Sequence, residues 1–337
     1  MNAQLLTLAA ARYGLAPEQL RPLRGGNFAA TYGFTQEGMD YVLKISPPDP
    51  ELDAETMDAI WAWVHLLDAR GASVAGPIPS TAHNLVETVD TETGLYLVTA
   101  LKRAPGILAE ELPYDQWSDA LFHAWGRTAG KMHAVAQACA ADPAALRRPE
   151  WDRCGNYFND PLPEALTGTP VAEQRTLARA RLAPLPRNPE NYGMIHMDFH
   201  AANFFVEPET ATVTVFDFDD CCRGWYVMDI AMALFDVLVV YPQEDRRTFA
   251  GHFLQQYLAG YGSEKPLDAF WIAQLPHFLK LLETGVYAEV YPYHDPADTT
   301  SWVSKFLADD RKGRIERGVP YVDLDFVEVA RSLGASM

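Results

Sequence analysis

The sequence has 337 residues, of which 48% are hydrophobic and 21% are charged. Such a chain can bury a large core and form two domains or lobes, and its composition is ordinary for a globular protein. The formal net charge of −18 argues against non-specific binding to nucleic acids or anionic membranes, because the long-range field repels polyanions. The same charge favours cationic substrates.

The four cysteines show no Cys-x-x-Cys spacing, and the adjacent pair Cys221 and Cys222 cannot readily form an unstrained disulfide. The N-terminus has no basic segment ahead of an apolar one, and no uncharged apolar run reaches 18 residues. We therefore expect a cytoplasmic protein with reduced thiols that binds neither nucleic acid nor membrane. The sequence does not indicate an oligomeric state.

The first hundred residues predict a sheet built from hairpins, after short helical segments at residues 3–13 and 15–20. Two strands flank a glycine-rich turn, and a third strand covers residues 39–46. Such a turn lets backbone amides approach phosphate groups without obstruction by side chains. The turn contains Gly25, Gly26, Asn27 and Phe28.

Lys44 lies in the third strand among apolar neighbours, where an unpaired ammonium group is costly. The alternative is a lysine at a strand edge that extends to water. The next helix is predicted over residues 52–70 and ends at Gly71, a residue suited to the left-handed position after a helix. Its acids Glu55 and Asp58 are nearly one turn apart on one face.

Two further strands are predicted at residues 84–89 and 95–101, and Pro105-Gly106 marks the boundary to a mainly helical region. Apolar periodicity indicates a long amphipathic helix over residues 115–141. Other helices are predicted at residues 171–182, 228–240, 245–261 and 267–282.

The chemistry is concentrated in residues 194–229, where two apolar runs joined by a polar turn predict a hairpin. One arm carries Asp198 and Asn203, and the other carries Asp217 and Asp219. A hairpin would bring these oxygen donors together. Hard oxygen ligands without a nearby cysteine pair favour Mg²⁺ over zinc.

This block resembles the aminoglycoside phosphotransferase and choline kinase family, which has the protein-kinase fold. The resemblance implies that Asp198 is the catalytic base, that Asn203 and Asp217 bind Mg²⁺, and that His196 braces the loop. It also implies ATP as the phosphate donor. Tyr226–Ala231 is similar to a helix start in that family, in which Asp229 is structural, and the family usually has glycine at the position of Met197.

The resemblance extends to the N-terminal strands. It implies that Lys44 contacts the α and β phosphates, that residues 25–28 close over them, and that Lys44 pairs with an acid on the next helix. We expect Glu55 in that role, with Asp58 second, although the family's acid often lies later, where this chain has Ile60 and Ala62. Backbone groups near Val98 and Ala100, in the strand that leads into the hinge, are expected to bind adenine.

Two rival interpretations use the same residues. His196, Asp198 and His200 alternate, so on a strand they would share a face and bind a transition metal. Asp217-Phe-Asp219 also resembles the motif of haloacid-dehalogenase-type phosphatases, but Cys221 stands where that motif has threonine or valine. Acids at strand ends are also commonly solvated turn residues. The kinase interpretation is preferred because it predicts features elsewhere in the chain.

Aromatic residues near the end of the chain form a candidate acceptor site. Residues 285–295 contain three tyrosines and His294 among acids, and Trp302 follows, so they predict either a cage for an ammonium group or ordinary helix packing. The tyrosines are Tyr287, Tyr291 and Tyr293.

We therefore predict an α+β, two-lobed, protein-kinase-like fold, with an antiparallel-sheet N-lobe over residues 1–101 that binds nucleotide phosphates. A helical C-lobe over residues 102–337 carries the catalytic hairpin and the acceptor site. The predicted function is transfer of the γ-phosphate of Mg-ATP to a hydroxyl of a small, amine-bearing molecule. The alternatives are a stress-response-type Ser/Thr protein kinase and a nucleotide-binding regulator without transfer activity.

Overall fold

The computed structural model of this protein describes residues 3–23, 29–49, 52–153, 162–241, 245–293, 295 and 297–332. Helices and antiparallel strands make up most of these residues. The helices are α1 Ala3–Ala11, α2 Ala54–Ala69, α3 Asp119–Ala138, α4 Pro143–Leu146, α5 Pro170–Leu182, α6 Val227–Val240, α7 Arg246–Glu264, α8 Ala269–Val290, α9 Trp302–Leu307, α10 Arg311–Glu316 and α11 Phe326–Ser332. The strands are β1 Arg21–Pro22, β2 Ala30–Gln36, β3 Met39–Ser46, β4 Pro77–Ile78, β5 Glu87–Thr91, β6 Gly94–Lys102, β7 Ile107–Leu108, β8 Tyr192–Ile195, β9 Phe204–Glu207, β10 Thr212–Val215 and β11 Cys222–Trp225.

These residues fall into two compact units. Unit 1 contains residues 1–105, 142–148 and 214–219, and unit 2 contains residues 106–141, 149–213 and 220–337. The sheet and α2 therefore belong to unit 1, and the long helices from α5 onwards belong to unit 2.

Unit 1 is built on a six-stranded sheet with the order β1-β2-β3-β6-β4, in which β5 also pairs with β6. The hairpin between β2 and β3 turns through Glu37 and Gly38, both at positive φ, as a two-residue turn between twisted strands requires. Along β3 every second side chain is buried, so Leu43 and Ile45 enter the core against α1 while Lys44 points to the opposite face.

Local sequence features fix both ends of helix α2. Asp53 caps its N-terminus by accepting a hydrogen bond from the Thr56 amide at 2.8 Å. The helix ends before Gly71, which has a φ of +78°. Its buried face is apolar and includes Met57, Ile60 and Val64.

Unit 2 is held together by the close approach of α3 and α7. A Cβ atom at Gly126 would lie 1.8 Å from the Tyr257 carbonyl oxygen, and one at Gly260 would lie 1.9 Å from that of His123. Only glycine fits at these two positions, because any side chain would separate the backbones. Trp125 fills the adjacent core with its edge against Tyr257.

Two predicted segments differ from the structure. Residues 194–206 were expected to form one arm of a hairpin, but β8 ends at Ile195 and pairs with the distant β11, with Ile195 opposite Cys222. Only β9 pairs with β10 as predicted. Helix α8 continues past the predicted end at residue 282 to Val290, because Gly285 lies in a fully packed stretch that supports the helix.

Of the described helices, none has both the length and the apolar character that crossing a bilayer requires.

Candidate functional site

The loop between β8 and β9 carries Asp198, and a buried carboxylate of α6 fixes its first half. Asp229 is fully buried and accepts hydrogen bonds from the amides of His196 at 2.9 Å and Met197 at 2.8 Å. It also lies 3.0 Å from Nε2 of His133. Three donors around one buried carboxylate satisfy its acceptor sites and fix the loop backbone.

Met197 has a φ of +73°, in the left-handed region that favours glycine. This conformation explains why glycine is usual here in the family that the sequence resembles. The Met197 side chain is buried, so packing offsets part of the backbone strain. His196 is also buried, and its Nδ1 accepts a hydrogen bond from the Asp198 amide at 3.3 Å, a contact consistent with the predicted bracing role.

Asp198 is held by two neighbours in the same loop. Its Oδ2 accepts a hydrogen bond from Nδ2 of Asn203 at 2.8 Å and lies 3.2 Å from Nε2 of His200. Burial alone would raise the pKa of Asp198, but His200, with smaller contributions from His196 and Asn203, holds it below its usual value. Its Oδ1 is buried and has no hydrogen-bond partner within the described part of the chain.

The sequence indicates a role for His200 only in the rival interpretation, as a possible metal ligand. Burial alone would lower its pKa, but the carboxylates of Asp198, Asp236 and Glu110 outweigh burial and raise the pKa to about 9. In the neutral ring the Ala202 amide donates to Nδ1 at 3.2 Å and the proton is on Nε2, so protonation of His200 requires this amide contact to be given up. The Nε2 proton therefore faces Asp198.

A cavity of about 270 Å³ opens beside Asp198 within unit 2. Its polar wall includes Glu110, His200 and Asp236, and its aromatic wall includes Trp302. Asp236 is buried and accepts hydrogen bonds from the Ala201 amide at 3.2 Å and from Nε1 of Trp302 at 3.1 Å. It therefore ties the second half of the Asp198 loop to the wall of the cavity.

The cavity has a surplus of negative charge. Burial raises the pKa of Glu110, and the nearby Asp236 and Glu111 add to the increase against the opposing effect of His200. Burial and the charge of Asp198 raise the pKa of Glu289. A carboxyl whose pKa is raised by other carboxylates is stabilised by a cation that enters its surroundings.

The predicted aromatic cage does not form as one cluster. Tyr287 is buried on α8 and stacks on Tyr291, with 5.4 Å between ring centroids, while Tyr293 is 79% exposed. Because α8 continues to Val290, these rings point to different surroundings. Trp302 alone of the predicted aromatics lines the cavity, and His294 lies outside the described residues.

In unit 1 the predicted Lys44 lies beside two acids. Its Nζ is 2.8 Å from Oδ2 of Asp219 and 3.6 Å from Oδ1 of Asp217. Burial alone would lower the pKa of Lys44, but the two carboxylates raise it. The acids reach this position because Val215, at the end of β10, exchanges backbone hydrogen bonds with Ser73 and Ala75.

The expected ion pair between Lys44 and Glu55 is not formed in the structure. Glu55 lies exposed in the first turn of α2, where the helix presents it to solvent, and Asp58 pairs with Arg147 at 2.8 Å. The sequence could not reveal this, because the acid that meets Lys44 is Asp219, 175 positions later.

Of the remaining predicted nucleotide contacts, the structure describes only Val98 and Ala100. Gly25, Gly26, Asn27 and Phe28 lie outside the described residues. Val98 and Ala100 are fully buried in β6, opposite Ile45 and Leu43 of β3, and the Val98 carbonyl accepts a hydrogen bond from the Tyr13 hydroxyl at 3.4 Å. Both side chains lie in the core with Leu43 and Ile45, so the predicted adenine contact can involve only backbone groups of this strand.

The rival metal interpretation fails on the backbone. His196, Asp198 and His200 lie in a loop rather than on a strand, and within the described ranges no group of three or more His, Cys, Asp or Glu residues is arranged to hold a metal ion. Mg²⁺ does not need such a group, because it is held by one or two protein oxygens together with substrate phosphates. Asn203 directs Nδ2 to Asp198, which leaves Oδ1 for a cation, and the Asp217 side chain is 46% exposed. Each of the two side chains, taken by itself, offers an oxygen of the kind that Mg²⁺ prefers.

A family model and several known proteins resemble this chain. Residues 19–267 match the model of the phosphotransferase enzyme family. Amicoumacin kinase of Bacillus subtilis (strain 168) is 32% identical over 328 residues, covering 96% of this chain and 94% of that protein. The solved structure of amicoumacin kinase hAmiN in complex with AMP-PNP, Ca²⁺ and Ami is 30% identical, with a TM-score of 0.84 and coverage of 98% and 97%.

A microcompartment-associated aminopropanol kinase shares the fold, with a TM-score of 0.67 at 22% identity over 94% of this chain and 97% of that chain. These similarities confirm the predicted α+β, kinase-like fold class.

Proposed function

We propose that this protein, which belongs to the phosphotransferase enzyme family, transfers the γ-phosphate of ATP to a hydroxyl group of a small, amine-bearing molecule. One observation carries the acceptor side of the proposal. Asp198 presents a buried oxygen without a hydrogen-bond partner in the described chain, beside a cavity with surplus negative charge.

Asp198 is the proposed catalytic base. Its lowered pKa keeps the carboxylate ionised at neutral pH, and Asn203 and His200 hold Oδ2 so that Oδ1 remains for the acceptor hydroxyl. As the hydroxyl oxygen attacks the γ-phosphorus, its proton passes to Asp198, the bond from the γ-phosphorus to the bridging oxygen breaks, and ADP leaves. His196 and Asp229 keep the loop in place.

On the nucleotide side we propose that Lys44 steadies the phosphates, that residues 25–28 close over them, and that Asn203 and Asp217 hold Mg²⁺. When bound, Mg²⁺ neutralises the charge that develops on the phosphate oxygens. The related hAmiN was solved with AMP-PNP and Ca²⁺, which supports a nucleotide and a divalent cation for this chain. We propose that backbone groups in the last part of β6, near Val98, Ala100 and Lys102, bind adenine.

The charge of the cavity supports an amine-bearing acceptor. Glu110 and Asp236 line the cavity with Asp198, Glu289 is close enough for the charge of Asp198 to raise its pKa, and His200 already pairs with Asp198. An ammonium group would therefore neutralise acids that lack a cation of their own. Two relatives at 30% identity or more are named as amicoumacin kinases, so amicoumacin is the first acceptor to test.

The experiment measures ADP release with Mg²⁺ and ATP over a panel of acceptors. The panel contains amicoumacin, aminoglycosides, choline, ethanolamine, homoserine, a simple sugar and a generic protein substrate. Each amine that can be acylated is paired with its N-acetylated form, which keeps the hydroxyl and removes the charge. We expect turnover with a free or quaternary amine and at least tenfold less with the N-acetylated partner.

Equal turnover of an amine and its N-acetylated form would contradict the proposed acceptor class. Turnover of the protein substrate alone would favour the protein-kinase alternative. ATP binding without turnover of any acceptor would favour the regulator.

A cytoplasmic location belongs to the same proposal. Three described cysteines, Cys139, Cys221 and Cys222, are buried thiols, as expected in a reducing compartment.

A further inference from the structure

A lysine that binds nucleotide phosphates must have its side chain in a fixed orientation before the nucleotide binds. Lys44 therefore needs a partner that restrains it. In kinase folds that partner is an acid on the helix after the lysine strand, which here is α2. Each of the four acids between residues 53 and 68 is exposed to solvent or interacts with a group other than Lys44. Asp53 caps the helix, Glu55 is exposed, Asp58 pairs with Arg147, and Asp68 pairs with Lys102 at 2.7 Å.

The buried face of α2 offers no substitute. Ile60 is fully buried, and it neighbours Trp61 and Val64 in an apolar face. An acid placed among these side chains would lose its hydration without a compensating partner. The helix is therefore built for packing and not for pairing with the lysine.

Asp219, rather than an acid of α2, pairs with Lys44. Its Oδ2 accepts a hydrogen bond from Nζ of Lys44 at 2.8 Å, and the two side chains are only 27% and 15% exposed. Asp217 is farther away, at 3.6 Å, and its side chain is 46% exposed. The shorter and better shielded contact is the stronger one, since water screens it less.

Asp219 is itself fixed in place. Its backbone carbonyl accepts a hydrogen bond from Nη2 of the buried Arg148 at 3.2 Å. The preceding Phe218 is buried, which anchors the chain between the two acids. A carboxylate with a restrained backbone can restrain the lysine that it binds.

We propose that Asp219 is the positioning residue for Lys44 and replaces the helix acid of other kinase folds. This inference rests on the proposed function for the purpose of the Lys44 ammonium, but the pairing of the two residues does not. Asp219 holds Nζ in place, and Asp217 keeps its proposed role as an Mg²⁺ ligand.

The first experiment tests the pairing without nucleotide or acceptor. The full-length protein is treated with an amine-acylating reagent, and the rate of Lys44 acylation is followed by mass spectrometry of its peptide. Asp219→Asn should accelerate acylation of Lys44 severalfold, because Nζ loses the carboxylate that holds and covers it at 2.8 Å. Glu55→Gln, the matched control on α2, should leave the rate within twofold of the wild type. Unchanged acylation in Asp219→Asn would overturn the proposal even if the enzyme phosphorylates its acceptor.

The second experiment measures the dissociation constant for ATP by calorimetry without acceptor, and KM and kcat with acceptor. Asp219→Asn should weaken ATP binding by about 10- to 100-fold and raise KM for ATP, as expected when a supporting hydrogen bond is removed. Asp219→Glu should restore part of the affinity, and thermal unfolding checks that each variant folds.

A shift in the Mg²⁺ concentration for half-maximal activity, with ATP binding in EDTA unchanged, would identify Asp219 as a metal ligand and overturn the proposal. Failure of the wild-type protein to transfer phosphate, with faster Lys44 acylation in Asp219→Asn, would count against the proposed function and leave the pairing supported.

Discussion

Asp229 and Asp236 lie seven residues apart on α6, and their carboxylates accept hydrogen bonds from opposite ends of the loop that carries Asp198. Asp229 binds the amides of His196 and Met197, and Asp236 binds the amide of Ala201. A spacing of seven places both side chains on one face of the helix. Helix α6 thus fixes the geometry of the loop from a single rigid element.

Replacing Asp229 should be more damaging than replacing Asp236. Asp229→Ala leaves two amides and His133 without an acceptor in a fully buried position, so we expect a loss of about 3–5 kcal/mol in the free energy of unfolding. Asp236→Asn keeps one acceptor oxygen and should cost about 1–3 kcal/mol. Urea denaturation of both variants measures the difference. Similar losses would show that the two carboxylates do not act as described.

Met197 allows the backbone strain of the loop to be measured. Met197→Ala removes a buried side chain and keeps a residue with a Cβ atom at a φ of +73°, so it should destabilise by about 2–5 kcal/mol. Met197→Gly removes the same side chain but adopts this φ without strain. We expect the glycine variant to be more stable than the alanine variant by about 1 kcal/mol in urea denaturation. An alanine variant as stable as the glycine variant would argue against strain at this residue.

The parts of the site differ in how far the sequence could predict them, because some depend on neighbouring residues and others on distant ones. Asp198, Asn203 and Asp217 are recognisable because their spacing along the chain is fixed by a loop and a hairpin. The turn at Gly38 and the end of α2 at Gly71 are local features, and the structure has both. The turn and the helix end could be predicted because neighbouring residues determine them, whereas the roles of Asp198, Asn203 and Asp217 stay predictions.

Other features depend on residues that are distant in the sequence. The cavity brings Glu110 together with Asp236 and Trp302, and no local pattern links residues more than 60 positions apart. The pairing of β8 with β11 and of Lys44 with Asp219 is likewise non-local. Among these non-local features, only the role of Asp236 left a signal in the sequence. Asp229 and Asp236 are seven residues apart on the helix predicted at residues 228–240.

His200 should make stability depend on pH. Its pKa of about 9 in the folded protein lies above the value near 6.5 expected for an unfolded chain. The group therefore contributes stability that is fully present below about pH 6.5 and is lost as the pH rises towards 9. Urea denaturation between pH 6 and pH 9.5 should show the difference between wild type and His200→Asn shrinking as the pH rises. A difference that stays constant over this range would refute the raised pKa.

Glu110 should contribute to amine selectivity. Because Glu110 is exposed, its attraction to an ammonium group is partly screened, and we expect Glu110→Gln to raise KM for an amine acceptor by only about 2- to 5-fold. KM for an N-acetylated acceptor should not change. Glu111→Gln, at the neighbouring position, is the matched control. Equal effects on both acceptors would show that Glu110 does not recognise charge.

The most direct test of the account compares phosphate transfer by the wild type, Asp198→Asn and Asp115→Asn, each at saturating ATP and acceptor. Asp115 is an exposed acid and serves as the control. We predict that Asp198→Asn lowers kcat by about 10²- to 10⁴-fold with ATP affinity unchanged, and that Asp115→Asn matches the wild type. Near-full activity of Asp198→Asn would contradict the proposed mechanism.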